Sequence, residues 1–258
     1  MRASNSNAAS GSTVALAHCY LCGRPLSKPT NKDHCPPRAL FAREIRRRYK
    51  NIQLLTHIVH KKCNESYKLD EEYFKETMVP FARGSEAGDA IYKQFELDKD
   101  EKQGKRILAE SILREFELRP SGLHLPFGKV IKRQDGNAIK RISWKIVRGL
   151  YFHHHGAILP EEFSSVGCTL TAPGEKPPEH LQDALSFVNG QKHGRYPGVF
   201  DYLFCVIDTD VGKLHYWAFL IWDRIIITVY FHDPWSCQCE FCIAALAEMQ
   251  SRVENSAT

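Results

Sequence analysis

Two stretches, CYLCGRPLSKPTNKDHC (residues 19–35) and HKKCNESY (residues 60–67), decide how the first part of this chain folds. They contain two pairs of metal-binding side chains with the same two-residue gap, namely Cys19 with Cys22 and His60 with Cys63. Thiolate and imidazole groups bind Zn²⁺ in a tetrahedral shell, and the short gap lets one turn aim both members of a pair at one ion. The spacing therefore predicts a structural zinc site.

Two other histidines compete for the same role. His57 and His18 are rival ligands, but the two-residue gap to Cys63 favours His60. Gly23 suits the tight turn after the first pair, because glycine tolerates a positive φ. Structural zinc supplies about 10–16 kcal/mol of apparent binding energy in small domains, so it can hold together a region with little core of its own.

Three further polar residues lie among the zinc pairs: Asp33, His34 and Asn64. The oxygens of Asp33 and Asn64 are ligands that Mg²⁺ prefers, and such a cation stabilises charge on a phosphate. His34 has an ordinary pKa near neutrality and can take a proton from water. In a regular strand the neighbours Asp33 and His34 point to opposite faces, so we expect a local bend to bring them together.

Together, the phrases CYLCGRPLSKPTNKDHCPPRALF and HKKCNESYKLDEEYF resemble the HNH endonucleases, the ββα-metal or His-Me finger nucleases. The resemblance covers about residues 16–76. It implies that His34 is the general base, that Asp33 and Asn64 hold a catalytic Mg²⁺ or Mn²⁺, and that Asn64 opens the helix of the ββα unit. Many relatives have Cys-x-x-Cys where this chain has its His-x-x-Cys pair.

A basic segment, RALFAREIRRRYK, follows Pro37 and predicts a helix beginning at that proline. An apolar stripe would bury one face of this helix. Four cations fall at helical spacing on another face, namely Arg43, Arg46, Arg47 and Lys50. Their position directly after His34 predicts contact with the nucleic-acid backbone, which gives affinity without base reading.

The composition is that of an ordinary globular protein. The chain has 258 residues, 43% hydrophobic and 25% charged, with a formal net charge of +5. The sequence predicts a disordered arm at 1–15, an HNH nuclease module with structural zinc at 16–78, and an α+β substrate- or partner-recognition region at 79–258.

The later region alternates helical and strand patterns. Helical spacing occupies 106–118, 138–152 and 240–254, whereas 160–180 is loop-rich. Three β-like runs, at 200–208, 214–222 and 225–232, are joined by short turns that favour antiparallel pairing. The predicted fold class is therefore α+β, with a zinc-braced ββα-metal module, a helical segment and a mainly antiparallel sheet.

Cysteine usage favours a reducing compartment. Nine cysteines, an odd number, occur without an apolar secretory segment in residues 1–15, so we expect a cytoplasmic protein with metal-bound and free thiols. Apolar runs long enough to cross a bilayer do not occur, and no membrane association is expected. The motif Cys237-x-Cys239-x-x-Cys242, near His232, fits either a second metal site or free thiols.

The main functional prediction is a metal-dependent HNH endonuclease that hydrolyses DNA phosphodiester bonds. One alternative is a non-catalytic zinc-finger DNA-binding protein. Another is a protein-interaction effector that recognises a protein partner through its C-terminal sheet. The sequence leaves open the oligomeric state, the choice between DNA and RNA, and the biological role.

Overall fold

The computed structural model describes residues 17–49, 54–101, 103–117, 131–161, 166–171, 173–176, 179, 182, 196, 198–210 and 212–254. The predicted arm at 1–15 and the predicted nucleic-acid contact Lys50 lie outside these residues. Within them the chain is a mixture of helices and antiparallel sheets, in agreement with the predicted α+β class.

The first module is a hairpin followed at once by a helix. Strands β1 (Thr30–Cys35) and β2 (Leu55–His60) pair antiparallel, and helix α2 (Lys61–Glu65) begins at the residue after β2. The pairing runs residue for residue along both strands, without a bulge. The paired strands and the helix after them are present, but residues 38–48 between the strands contain a 3-10 turn and a short helix. Asn64 is the fourth residue of α2, so it does not open this helix as the resemblance implies.

The basic segment is not the continuous helix that its spacing predicts. A 3-10 turn (Arg38–Leu40) is separated from helix α1 (Arg43–Arg48) by two residues with extended ψ angles, Phe41 and Ala42. Leu40, Phe41 and Ala42 are all about 1% exposed. Three consecutive residues cannot share one face of an α-helix, so burying all of them requires the break.

Four longer helices follow the hairpin in the chain: α3 (Lys68–Met78), α4 (Glu86–Glu101), α5 (Gln103–Arg114) and α6 (Gly136–His155). A short pair, β3 (Phe116–Glu117) with β4 (Ile131–Lys132), lies between the last two. The carboxylate of Asp135 caps α6 by accepting the backbone N–H of Asn137 and of Ala138 at 2.9 and 3.2 Å. Gly156 ends α6 with φ of 66°.

The C-terminal half contains a four-stranded antiparallel sheet with strand order β5-β8-β7-β6. Its strands are β5 (Gly167–Thr171), β6 (Phe200–Thr209), β7 (Gly212–Ile221) and β8 (Ile225–His232). The three predicted β-like runs are confirmed as β6, β7 and β8. The three-residue connection 222–224 joins the last two strands. Trp222 and Asp223 have positive φ angles of 52° and 53°, and Arg224 N–H donates to the Ile221 carbonyl at 3.0 Å, as in a type I′ turn.

Strand β5 lies inside the segment 160–180, which the sequence predicts only as loop-rich. Its residues are mostly half-buried at the sheet edge, so no apolar alternation marks it in the sequence. Gly167 admits the Tyr230 ring of β8, because a Cβ at this position would lie 2.0 Å from the ring Cζ. The contact that selects this strand is therefore made by a distant residue.

Helix α6 lies at the centre of the molecule. It packs against β1, α3 and β8. Helix α7 (Glu240–Glu254) is the last described element, and its bounds are those predicted from the sequence. One hydrophobic cluster continues from the N-terminal module into the sheet, and the Trp222 indole donates to the Leu40 carbonyl at 2.9 Å. The domain boundary near residue 80 stays a prediction. Among the described helices, none is both long and apolar enough to span a bilayer.

Candidate metal centre and adjoining charged site

The four predicted zinc ligands converge on one point. The ligand atoms of Cys19, Cys22, His60 and Cys63 lie within 4.8 Å of one another. The Nδ1 atom of His60 is 3.3 Å from the Cys22 sulfur and 3.8 Å from the Cys63 sulfur. A tetrahedral zinc with ordinary bond lengths places sulfur and nitrogen ligands about 3.6 Å apart. The donor set and its spacing therefore fit a metal such as zinc.

Local structure positions each pair. The first cysteines form a turn in which Gly23 N–H donates to the Cys19 carbonyl at 2.8 Å, with Gly23 at φ of 75°. His60 is the last residue of β2, and Cys63 lies in α2. The Nε2 atom of His60 lies 3.0 Å from the Pro25 carbonyl. When Nδ1 faces the sulfurs, Nε2–H donates to this carbonyl and fixes the ring, as second-shell partners of metal ligands do.

The rival histidines are used elsewhere. The Nε2 atom of His57 lies 3.0 Å from the Gly149 carbonyl, and its ring packs edge-on against Tyr20. Burial lowers the pKa of His57, so its neutral ring donates to that carbonyl. His18 pairs with Pro25 as an isolated β-bridge. Neither histidine belongs to the cluster, and His60 is confirmed as its member.

Asp33 and Asn64 meet around a positive charge. The Nζ atom of Lys145 lies 2.9 Å from Asp33 Oδ1, 3.4 Å from Asn64 Oδ1 and 2.5 Å from Glu71 Oε1. The Tyr20 hydroxyl donates a hydrogen bond to the second oxygen of Asp33. Oxygens from β1, α2 and α3 thus converge on one ammonium supplied by α6.

This oxygen cage is buried and charged. Asp33 is 4% exposed and Lys145 is 2% exposed. Burial lowers the pKa of Lys145, but the Asp33 and Glu71 carboxylates outweigh it, and the net shift is upward. Burial also raises the pKa of Glu71, against the opposing effect of Lys145. With both acids ionised, two carboxylates and one ammonium leave one net negative charge in the cage.

His34 lies on the opposite side of the strand from Asp33. Because β1 pairs with β2 in regular register at both residues, their side chains project to opposite faces. The local bend expected from the sequence is therefore not present. His34 is half-buried, and burial, followed by the charge of Arg38, lowers its pKa. Its ring is consequently neutral at pH 7.

A basic cavity lies next to this part of the chain. It has a volume of about 380 Å³ and is lined by Arg38, Ala39, Phe41, Arg46, Lys75 and Gln94. The Nε atom of Arg46 is buried without a hydrogen-bond partner in the structure. Burial and the nearby charges of Arg38 and Arg43 lower the pKa of Arg46. Lys75 pairs with the buried Glu76 carboxylate at 2.6 Å, so Arg38 and Arg46 are the cations of this lining that favour an anionic ligand.

The predicted nucleic-acid contacts separate into different environments. Arg43 pairs with Asp98 at 2.8 Å, Arg46 lines the cavity, and Arg47 is exposed. Arg38 and Lys75 also line the cavity, although the sequence reading did not select them. The sequence could have indicated Arg38, since it lies four residues after His34. Lys75 reaches the cavity from α3, and nothing in the sequence around it indicates this position.

Glu71 and Lys145 were likewise missed. Lys145 carried a detectable signal, because it interrupts the apolar run of α6 between Trp144 and Ile146. A lysine inside a buried helical pattern requires a partner. Glu71 had no comparable signal, since acidic residues are common near the start of a helix such as α3.

A second Cys/His cluster lies beyond the sheet. The ligand atoms of His232, Cys237, Cys239 and Cys242 also lie within 4.8 Å of one another, so this group could hold a metal as well.

Compared with family models, with curated proteins and with solved structures, the chain gives no match. The resemblance to nucleases consequently rests on the residues named above and on where they lie in this fold.

Proposed function

We propose that this protein is a metal-dependent endonuclease that hydrolyses DNA phosphodiester bonds through its N-terminal module. One observation carries the proposal. The β1–β2 hairpin and α2, fastened at the Cys/His cluster, bring the oxygens of Asp33 and Asn64 to within 2.9 and 3.4 Å of a single positive charge. These oxygens hold an ammonium in the structure, and we infer that a divalent cation takes its place during phosphodiester cleavage.

The donor set of this group fits a hard divalent cation. Asp33, Asn64 and Glu71 supply carboxylate and amide oxygens, which Mg²⁺ and Mn²⁺ accept as ligands. The cage carries one net negative charge around Lys145, so replacing its ammonium by a divalent cation would neutralise it. A bound Mg²⁺ or Mn²⁺ would supply charge stabilisation at the phosphate and at the leaving oxygen. Lys145 has a flexible four-carbon stem that can withdraw from the oxygens.

In this proposal His34 is the general base, and because its ring projects to the face of β1 opposite Asp33, β1 must bend in the substrate complex for the base to reach a water near the cation. Burial and Arg38 keep its imidazole neutral at pH 7, so a ring nitrogen can accept a proton from the attacking water. Arg38 also lines the basic cavity. The proposed base and the cations that would hold a phosphate therefore share one neighbour.

The basic cavity would hold the DNA backbone. Arg46 Nε has no hydrogen-bond partner among the described residues, and a phosphate oxygen would satisfy it with a charge-assisted hydrogen bond. Arg38 adds positive charge on the same cavity wall, whereas the charge of Lys75 is balanced by Glu76 at 2.6 Å. Contacts of this kind hold the backbone without selecting a base sequence.

A second function, binding nucleic acid without cutting it, is favoured by the burial of Asp33. This carboxylate is 4% exposed, and both of its oxygens already accept hydrogen bonds, from Tyr20 and Lys145. In that case Asp33 and Asn64 only neutralise Lys145, and the cavity binds phosphate independently of Mg²⁺.

One experiment separates the two functions. Purified protein is incubated with supercoiled plasmid, with Mg²⁺, with Mn²⁺ or with neither, and the same mixtures are tested for DNA retardation. Endonuclease activity predicts relaxed and linear products only when a divalent cation is present. Retardation without any scission in all three mixtures would favour the binding function.

A further inference from the structure

We propose that His232, Cys237, Cys239 and Cys242 bind a second zinc ion, which fastens helix α7 to the end of the sheet. The site is separate from the N-terminal cluster and does not depend on the proposed nuclease activity. It is formed by the end of β8, the turn that follows it, and the first turn of α7.

The ligand geometry matches one metal ion. The Nδ1 atom of His232 lies 3.4 Å from the Cys237 sulfur and 3.8 Å from the Cys239 sulfur. All four ligand atoms, with that of Cys242, lie within 4.8 Å of one another. Tetrahedral zinc places nitrogen and sulfur ligands about 3.6 Å apart, between the two observed distances.

Backbone hydrogen bonds hold the turn in this shape. Asp233 N–H donates to the Lys213 carbonyl at 2.7 Å, and Cys237 N–H donates to the Asp233 carbonyl at 2.9 Å. The backbone N–H of Cys239 points at the Cys237 sulfur at 3.5 Å, an arrangement that stabilises a thiolate ligand. The ligands are therefore positioned by the fold before any metal arrives.

The turn is also packed closely against the sheet. Gly212 begins β7 with φ of 127°, and a Cβ at this position would lie 2.9 Å from Cys237 Cα. Glycine at this position lets the β6–β7 turn approach the metal-binding loop. Metal binding would thus hold the loop of residues 233–239 against the start of β7 and the end of β8.

Few of the described side chains of helix α7 are buried. Among them, Cys242 alone is buried, whereas Phe241 and Ile243 are 55% and 57% exposed. Burial of apolar surface is the usual means by which a helix is held to a core, and among these side chains it is small. A bond from Cys242 to a shared ion would attach the helix further.

Metal analysis tests the proposal directly. The full chain, purified without chelator, is expected to contain about two zinc ions by mass spectrometry, one for each tetrahedral ligand set. The double variant Cys239→Ser/Cys242→Ser should lose about half of the zinc, and Cys19→Ser/Cys22→Ser should lose the other half. Cys205→Ser, in strand β6, is the matched control and should keep all of it.

Two further measurements keep the test decisive if a variant folds poorly. Cobalt added to the zinc-free wild-type chain should develop thiolate absorption at about two ions per chain. Protease should cut within 233–242 faster in zinc-free than in zinc-loaded wild-type protein. One zinc ion per wild-type chain, a disulfide among the three cysteines, or undiminished zinc in Cys239→Ser/Cys242→Ser would overturn the proposal.

Discussion

The ammonium of Lys145 lies 2.9 Å from Oδ1 of Asp33, although the two residues are 112 positions apart in the chain. This ion pair joins α6 to the first strand of the N-terminal module. It also places a tethered positive charge at the point where the Asp33, Asn64 and Glu71 oxygens converge. Lys145 is therefore a structural contact, and under the proposed function it also competes with the divalent cation for these oxygens.

Replacing Lys145 should show whether its ammonium competes with a divalent cation for these oxygens. Lys145→Met leaves the buried carboxylate of Asp33 and the half-buried carboxylate of Glu71 without their cation, which should lower the free energy of unfolding by about 3–5 kcal/mol. Millimolar Mg²⁺ should restore part of this loss in the variant and change the wild type little, because only the variant leaves the oxygens free. Thermal unfolding with and without Mg²⁺ measures both effects.

Lys140→Met, a half-buried lysine on the same helix, is the matched control. It should change stability by much less and show no response to Mg²⁺. If Mg²⁺ leaves the melting temperature of Lys145→Met unchanged, the oxygen cage does not bind divalent cations.

The imidazole in the N-terminal cluster should be replaceable by a thiolate. His60→Cys provides another zinc ligand at the end of β2, whereas His60→Ala provides none. We expect His60→Cys to retain zinc at this site and His60→Ala to lose it together with a large part of the thermal stability. Zinc content and melting temperature check the pair of variants, and retention of both zinc and stability by His60→Ala would contradict the assignment.

Arg46 should contribute to DNA affinity through a phosphate contact. Arg46→Gln should weaken binding on every DNA sequence alike, and the slope of log affinity against log salt should fall by about 1. Arg106→Gln is the control, since this arginine is exposed on α5 and pairs with Glu110. Fluorescence anisotropy over a salt series gives both slopes. Equal slopes for Arg46→Gln and wild type would exclude a phosphate contact at this cavity.

Burial of neutral His57 should make the fold sensitive to acid. Burial lowers its folded pKa below the ordinary value of about 6.5, so the unfolded chain takes up the proton first. Its contribution to stability is fully present above about pH 6.5 and is lost as the pH falls toward the folded pKa.

The variant His57→Gln tests this pH dependence. Its amide can still donate to the Gly149 carbonyl but does not titrate in this range. Urea unfolding between pH 7.5 and about 6 should show a shallower loss of stability in the variant than in the wild type. Identical pH slopes would mean that His57 is not held neutral in the fold.

Local sequence signals predicted the parts of the structure that local chemistry determines. The two-residue gaps selected the four cluster ligands, and short turns between apolar runs predicted β6, β7 and β8. Asp33 and Asn64 were also selected together, and their oxygens share a partner. In each case the information lies within a few residues or in one repeated spacing.

The parts that were missed depend on distant contacts. Lys145 completes the oxygen cage from the far end of the fold, and β5 exists because Tyr230 lies over Gly167. The helix is interrupted at Phe41 and Ala42 because the three consecutive residues 40–42 are all buried. The helical spacing of apolar residues does not predict this burial. The missing bend at Asp33 and His34 likewise follows from pairing with β2.

The central claim, that the N-terminal module cuts DNA with His34 as its base, is tested most directly by plasmid nicking with His34→Ala. The variant should retain wild-type zinc content and melting temperature, because the structure places no cluster ligand at this position. We predict that it loses Mg²⁺-dependent nicking by at least 10²-fold, the usual contribution of a general base, while His18→Ala keeps wild-type activity. Undiminished nicking by His34→Ala, or no nicking by the wild type with either Mg²⁺ or Mn²⁺, would contradict the claim.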